Sequence, residues 1–537
     1  MDIFILSVSI IIILGVVLNK ISMRAGLPVL LAFIVLGMVL GEDGPLHIEF
    51  QDYGLAKNIC SIALIFIMFY GGFGTNLGRA RCVAVRSALL STVGVFLTAM
   101  LIGLFGHFVV GAGLIESLLL GSVIASTDAA SVFSILRSRK LGLKYNTASL
   151  LEMESGSNDP AAYMLTVIFI EVMSGNAGAW FIISTVLMQL TIGALLGLAI
   201  GYGGGYLMKR TSFDTEGFEM VFAVGIALIS YALPSTIGGN GYLSAYLAGL
   251  IIGNHEFEDK KNLVHFFDGV TGLMQMLLFF LLGMLATPSA LPLYAMEATV
   301  TMVFLTLVAR PVSVALLLAP FGCSVRQIAL VSFAGLRGAA SIVFAILVIT
   351  GTSTGTWIFH VTFFIVLMSI IIQGGLLPLV SRKLGMIDEK EDVMKTFNDY
   401  SEALPVQFIQ FKIPENHNWV GKTLQEITLP PETLVVYREN NNVMSVPDGR
   451  TVIEVGDKLI LSAKEPEQVK GIHLAEIPIG EGHEYIGLML SEIPKGGDNL
   501  VILIVRGDKV VIPQGSTKIK ENDVLICNRL VEYEIEL

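Results

Sequence analysis

Apolar runs of bilayer length, separated by short polar loops, fill the first 385 residues. After Glu389 the pattern changes to short alternating runs with polar turns. A helix needs about 17–25 mostly apolar residues to cross a bilayer. About thirteen segments reach that length, at roughly 3–20, 27–41, 55–74, 84–106, 109–136, 147–173, 178–208, 217–236, 240–254, 264–286, 293–319, 327–350 and 357–380. The loops test this count. Those after odd-numbered spans carry Lys20/Arg24, Arg79/Arg81/Arg86, Arg137/Arg139/Lys140/Lys144, Lys209/Arg210, Lys260/Lys261, Arg326 and Arg382/Lys383. Those after even-numbered spans are nearly free of Lys and Arg, Lys57 being the main exception, and GEDGPLHIEFQD after the second span is acidic. Basic loops stay in the cytoplasm. The N-terminus is then expected outside and the long C-terminal tail inside.

Composition agrees. Of 537 residues 54% are hydrophobic and 15% charged, with a mean hydropathy of +0.73, far too apolar for a soluble protein of this size. The 55 glycines suit helices that cross closely in a membrane. The net charge of −11 is largely a property of the acid-rich tail. Four scattered cysteines, Cys60, Cys82, Cys323 and Cys527, suggest neither a disulfide framework nor a metal site. The first apolar run has an acidic start at Asp2, no basic n-region and no small-residue cleavage site, so no cleavable signal peptide is read.

The candidate chemistry lies inside the spans. ESGSNDP, 154–160, puts Glu154 and Asn158, and Ser155 and Asp159, four residues apart on one helical stripe. Carboxylates at mid-membrane are costly, at about 2.5–3.5 kcal/mol each on insertion scales, and usually handle ions or protons. Pro160 has no N–H, so the Gly156 carbonyl loses its helical partner. The stripe is thereby oxygen-rich, suited to a monovalent cation at Asp159; the alternative is that these groups only join helices. STDAAS, 126–131, places Thr127 and Asp128 in a small-residue stretch of the fifth span, which predicts a locally unwound helix of the kind that forms ion sites in transporters. Asp128 would offset helix N-termini exposed there, or be an ordinary buried Asp. AGLRGAAS, 334–341, places Arg337, a permanent cation, between two glycines in the twelfth span. Its expected partner is Glu154, which would make both structural and leave Asp159 to exchange protons for cations. Arg310, before Pro311, is read as structural. The fifth and twelfth spans are seven apart and so run in opposite directions, as inverted repeats with one broken helix per half would require.

These three motifs together make spans 1–13 resemble the monovalent cation:proton antiporters of the NhaP type. The resemblance implies a homodimer with a mobile core that exposes the site alternately to each side. It implies that the aspartate matching Asp159 binds cation or proton in competition, and that Ser155 and the Thr127 carbonyl contribute ligands. It also implies that the Glu154–Arg337 pair is structural. Asn158, where electrogenic relatives carry a second Asp, resembles the electroneutral branch. If the empty, ionised carrier moves poorly, strict exchange follows.

The tail repeats itself at a period of 66 residues. His417, Gly421, Leu424, Glu426, Ile427 and Leu434 recur as His483, Gly487, Leu490, Glu492, Ile493 and Leu500; Pro447, Gly449, Thr451, Ile453 and Asp457 recur as Pro513, Gly515, Thr517, Ile519 and Asp523. Two copies of one β-rich α+β unit are expected. They resemble the C-terminal module of potassium-conductance regulators (RCK_C, or TrkA-C), which implies regulation by a small ligand, cyclic di-AMP among them, or dimerisation alone. By association the module favours K⁺ over Na⁺. No Rossmann fingerprint is found, no bound cofactor is implied, and no nucleic-acid partner.

The expectation is therefore an all-α polytopic membrane protein with a cytoplasmic α+β tail: a membrane domain at 1–385, a linker at 386–404, and modules at 405–473 and 474–537. It would sit in a bacterial inner membrane and exchange K⁺, or Na⁺, for protons. The rivals are a tail-gated cation channel, against which no TVGYG-type filter appears, an aspartyl intramembrane protease, against which no GxGD appears, and a non-transporting sensor.

Overall fold

The computed structural model describes residues 9–18, 20, 29–388 and 406–530, less 46, 49, 51, 140, 176–177, 212–216, 256, 258–259, 353, 432, 441–442, 465–471, 481, 493–499, 508 and 512. The expected linker beyond 388 and the start of the first span lie outside the described residues, as does Ile493 of the repeat. The chain forms two compact units, Met1–Glu402 and Ala403–Leu537.

The first unit is helical. Among the described residues seven helices are long and apolar enough to cross a membrane: Tyr53–Gly74, Ala84–Val110, Ala179–Arg210, Phe218–Thr236, Lys260–Leu285, Pro288–Phe321 and Gly355–Lys383. Shorter apolar helices cover Ser9–Leu18, Val29–Leu40, Leu114–Val123, Gly241–Gly253 and Ala339–Gly351. Thr147–Met173 is a helix of 27 residues with Pro160 inside it.

Two of the expected spans are not continuous. Between Leu114–Val123 and Ala129–Ser138 the backbone leaves the helix at 124–128, and between Val325–Phe333 and Ala339–Gly351 it does so at 334–338. These are the two stretches whose polar and small residues predicted a break.

Glycine sets how closely the unbroken helices approach. A Cβ on Gly249 would lie 2.0 Å from the Phe69 carbonyl oxygen, and one on Gly72 would lie 2.0 Å from that of Tyr246. Helices Tyr53–Gly74 and Gly241–Gly253 therefore meet backbone to backbone. Around them Phe69, Phe73 and Phe267 form a buried aromatic cluster with Tyr70.

A buried ion pair ties Thr147–Met173 to the helix Arg310–Leu318. Glu154 and Arg310 are hydrogen-bonded, and both are almost fully buried. This corrects the expected Glu154–Arg337 pair. Arg337 lies in the 334–338 break, and its guanidinium is drawn across to backbone carbonyls at the other break. Arg310 reaches Glu154 past Gly335, where a Cβ would stand 2.9 Å from the Arg310 Nε.

A short antiparallel ladder joins Gly142–Leu143, in the loop before Thr147–Met173, to Ile387–Asp388, where the helical unit's last segment leaves the membrane helices. The Lys144 N–H donates to the Met386 carbonyl at 2.9 Å, and Lys144 Nζ donates to that of Gly385 at 3.1 Å.

The second unit holds two four-stranded antiparallel sheets of identical order. In each, the fourth strand lies between the first and second, and the third is at the edge. The first strands, Val406–Lys412 and Ile472–Pro478, and the third, Val443–Ser445 and Lys509–Val511, are offset by the repeat period. Among the described residues these sheets carry no α-helix, in contrast to the α+β expectation. The helical elements are single 3₁₀ turns, Leu424–Glu426 and Leu490–Glu492. In the first, Thr423 and Glu426 close a capping box over one turn, and Pro430–Pro431 prevents its extension. Each sheet buries an aspartate against an arginine. Arg438 Nε donates to Asp457 at 2.7 Å; Arg506 donates from Nε and Nη2 to both oxygens of Asp523, each at 2.7 Å. The aspartates are repeat mates, whereas the arginines are not in register.

Two outcomes are expected. Arg310→Met leaves a buried carboxylate unpaired and should cost about 3–5 kcal/mol, read as a lower Tm in detergent, with most of it recovered by adding Glu154→Gln. Recovery of Arg337→Met by Glu154→Gln would instead assign the pair to Arg337. In the tail, hydrogen bonds from Arg506 hold the Asp523 carboxyl below its ordinary range. The stability this gives is present above the unfolded value near ~3.9 and is lost as pH falls through the lower folded value. Hydrogen exchange, corrected for intrinsic rates, should show the strand Asp523–Leu530 losing protection below about pH 4. Asp523→Asn should remove that dependence.

Candidate ion-binding site

The two breaks cross each other, and each supplies what the other lacks. An interrupted helix exposes unpaired carbonyls at one end and unpaired N–H groups at the other. Arg337 Nη1 donates to the carbonyls of Ala125 and Ser126, at 2.7 and 2.6 Å, just beyond the C-terminal end of Leu114–Val123. A guanidinium at a helix C-terminus also opposes the dipole. The Asp128 N–H donates to the Leu336 carbonyl at 2.8 Å.

The Asp128 carboxylate caps its own helix, accepting from the Ser131 N–H at 3.3 Å and from the Ser131 hydroxyl. It also lies against the start of Ala339–Gly351. A Cβ on Gly338 would stand 2.1 Å from its Oδ2, so this approach requires glycine. Asp128 thus covers two positive helix N-termini at once.

The second break is held from behind by a polar relay that the sequence reading missed. The Arg337 N–H donates to Ser369 Oγ at 3.0 Å, Ser369 Oγ donates to Gln373 at 2.5 Å, and Gln373 Nε2 donates to Thr306 Oγ1 at 3.1 Å. Ser369 and Gln373 lie in a π-helical turn, Ser369–Gly374, and Thr306 lies in another, Leu305–Ala309. Such turns free backbone geometry at a local site. Serine, glutamine and threonine inside apolar spans were the signal.

Against the first break lies the stripe of Thr147–Met173. Ser155 Oγ donates to the Thr127 carbonyl at 2.6 Å, and Asn158 Nδ2 donates to Thr127 Oγ1 at 2.6 Å. Ser126 Oγ donates to Asp159 Oδ1 and lies 3.4 Å from Asn158 Oδ1. Ser126 was not among the expected ligands, although it opens the STDAAS motif. Ser126, Thr127, Ser155, Asn158 and Asp159 are all buried. Pro160 is tied to the start of Gly241–Gly253, its carbonyl accepting from Asn240 Nδ2 at 2.9 Å.

A cavity of about 740 Å³ reaches this cluster, and Asp159, Ser155, Ser126, Thr127 and Asp128 are among the residues that line it. Glu154 and Asn158 are not on its wall. Glu154 is committed to Arg310, and Asn158 to the Thr127 side chain. Of the expected residues, the structure brings Asp159, Ser155 and Thr127 together at the cavity and sets Glu154, Arg310 and Arg337 behind it as supports. With Asp128, the crossing holds three carboxylates and two guanidiniums. Arginine stays charged at any relevant pH, so with every acid ionised the five groups carry one excess negative charge. One proton or one monovalent cation cancels it.

Comparisons with known proteins agree with this architecture. The transmembrane sodium/hydrogen exchanger profile matches residues 6–383, and the TrkA-C domain profile matches 408–468 and again 474–526. A K(+)/H(+) antiporter NhaP2 of Shewanella sp. (strain MR-4) is 32% identical over 458 residues, 84% of this chain and 79% of the relative. A K(+)/H(+) antiporter NhaP of Alkalimonas amylolytica is 33% identical over 452 residues, 82% of this chain and 78% of that one. The structure of the sodium proton antiporter MjNhaP1 from Methanocaldococcus jannaschii at pH 8 has the same fold, with a TM-score of 0.63 at 21% identity, covering 70% of this chain and all of that one. The profile match over most of the chain, and relatives above 30% identity covered to more than two thirds, place it: the chain belongs to the sodium/hydrogen exchanger family of transporters, with two TrkA-C domains following its membrane unit in sequence.

Proposed function

We propose that this protein exchanges a monovalent cation, K⁺ in preference to Na⁺, for protons by alternating access, one for one and without net charge movement. The observation that carries the reading is the single excess negative charge at the crossing. A buried, uncompensated charge is expensive to move through a low-dielectric core. The core is neutral when Asp159 holds a proton and neutral when it holds a cation, so both loaded forms cross easily and the empty form does not. Competition for one carboxylate then couples the two fluxes.

In this reading Asp159 is the exchanging group. Ser155 and the Thr127 carbonyl supply oxygen ligands, and Ser126 and Asn158 position them. Asp128, Arg310, Arg337 and Glu154 keep the breaks intact. The named K(+)/H(+) relatives support K⁺, and the tandem TrkA-C domains support it by association. The chain would cross a bacterial inner membrane thirteen times as two inverted repeats, with the N-terminus outside. The membrane domain would run from 1 to 385, the linker from 386 to 404, and the modules from 405 to 473 and from 474 to 537. A homodimer, with a small ligand such as cyclic di-AMP acting on the cytoplasmic modules, completes the proposal. The cavity supports an inward-facing state, because its wall includes Arg139 and Pro378, near the loops that carry the basic residues.

Proteoliposomes with an acid interior test it. Added K⁺ is expected to collapse the pH gradient at a rate unaffected by clamping the membrane potential, and Na⁺ to do so more slowly. Asp159→Asn should lower the rate at least a hundredfold while the protein remains monodisperse. Potential-driven cation flux without proton coupling would favour a channel, and full activity in Asp159→Asn would sink the assignment of the site.

A further inference from the structure

The cavity is also lined by a carboxylate that belongs to neither break, Asp268. Asp268 lies on Lys260–Leu285, a helix that packs against Val29–Leu40 and Tyr53–Gly74 and takes no part in either break. A Cβ on Gly283 would lie 2.1 Å from the Ile34 carbonyl, so this contact is backbone to backbone. Tyr70, from Tyr53–Gly74, donates its hydroxyl to Asp268 Oδ1, and both residues line the cavity. Asp268 is solvent-exposed there, unlike the buried Asp159.

Along the same helix, Thr271 and Gln275 continue the polar stripe at positions three and seven beyond Asp268, and both face the cavity. Thr271 is 91% buried, at 9% exposure, and its hydroxyl has no hydrogen-bond partner among the described residues. A buried hydroxyl without a partner costs free energy unless something in the cavity pairs with it.

The two carboxylates are staggered in depth. Lys260–Leu285 and Thr147–Met173 both begin at basic loops. Asp268 is eight residues into the first helix and Asp159 twelve into the second, or about 12 and 18 Å at 1.5 Å per residue. Asp268 is thus nearer the basic-loop side. Glu152 and Arg139 also line the cavity and offset each other in sign; among the described residues of its wall this leaves Asp268 as the remaining charge outside the crossing. A cleft whose wall carries one sign of charge concentrates the opposite ion.

We propose that Asp268, with the Tyr70 and Thr271 hydroxyls, is a waiting site for a partly hydrated monovalent cation on the path from the basic-loop side to Asp159. It deepens the antiport reading and rests on it. The site is asymmetric: it sits on the unbroken helices and serves one mouth only. Asp268 does not carry the ion across, so it acts on access and not on turnover.

The test compares everted and right-side-out membrane vesicles holding the full chain, with K⁺ titrated from the outside of each. Asp268→Asn is expected to raise the apparent KM for K⁺ about five- to tenfold in everted vesicles. The maximal rate should stay within about twofold, the KM in right-side-out vesicles should be unchanged, and Asp268→Glu should restore the everted value. Thr271→Val removes only the unpartnered hydroxyl and should raise the everted KM about twofold, which keeps the proposal testable if Asp268→Asn does not accumulate. An unchanged everted KM in both variants, or an equal rise from both sides, would overturn the waiting site while leaving Asp159 exchange intact. Absence of coupled exchange in the unaltered protein would overturn the antiport reading itself, and the waiting site with it.

Discussion

A helix interrupted in an apolar medium leaves polar backbone groups with no water to satisfy them. The rest of the helical unit is organised around meeting that demand at two points. The solution is reciprocal. Arg337, from one break, satisfies carbonyls at the other; Asp128, from the other, covers the N-terminus that follows the first. Neither break is satisfied without its partner, so the crossing forms as a unit. Gly335 and Gly338 are small because Arg310 and Asp128 pass where their side chains would be. The sequence motif GLRG therefore records close approach as much as backbone freedom.

The same economy governs charge. Each permanent charge at the crossing has a structural partner: Arg310 with Glu154, and Arg337 and Asp128 with helix ends. Asp159 is different. Among the described residues its hydrogen-bond donor is the Ser126 hydroxyl, and it lines the cavity. A carboxylate so sparsely served is the one whose occupancy can change without dismantling its surroundings. Its helix is meanwhile fixed at several places, by Glu154, by Ser155 on Thr127 and by the Pro160 carbonyl on Asn240.

Much of this was legible in the sequence, because a membrane makes polar residues conspicuous. Asp128, Glu154, Asp159, Arg310 and Arg337 are rare interruptions in apolar spans, and the positions of both breaks followed from local composition. The pairing was not legible. Arg310 and Arg337 are equally permanent cations, and only three-dimensional approach past Gly335 decides which meets Glu154. Ser126, Ser369 and Gln373 were overlooked because a neutral polar side chain in a span is commonly spent on its own helix. Asp268 was overlooked because it lies near a span's basic end, where a lone acid reads as part of a loop. In the tail, the 66-residue period predicted the duplication, and the structure gives both sheets one strand order. Among the described residues the tail's helical elements are single turns, the first of them with Pro430 and Pro431 close behind it.

The ladder between Gly142–Leu143 and Ile387–Asp388 has a mechanical meaning. The segment that leaves the last membrane helix does not hang from that helix alone. It is stitched to the loop joining the half-helix that follows Asp128 to the helix that carries Asp159. A pull on that segment is therefore shared, by two strands and a lysine, with the loop between the half-helix after Asp128 and the helix of Asp159. The exit of the membrane unit is thereby tied to the helix of Asp159 by hydrogen bonds as well as by the chain itself.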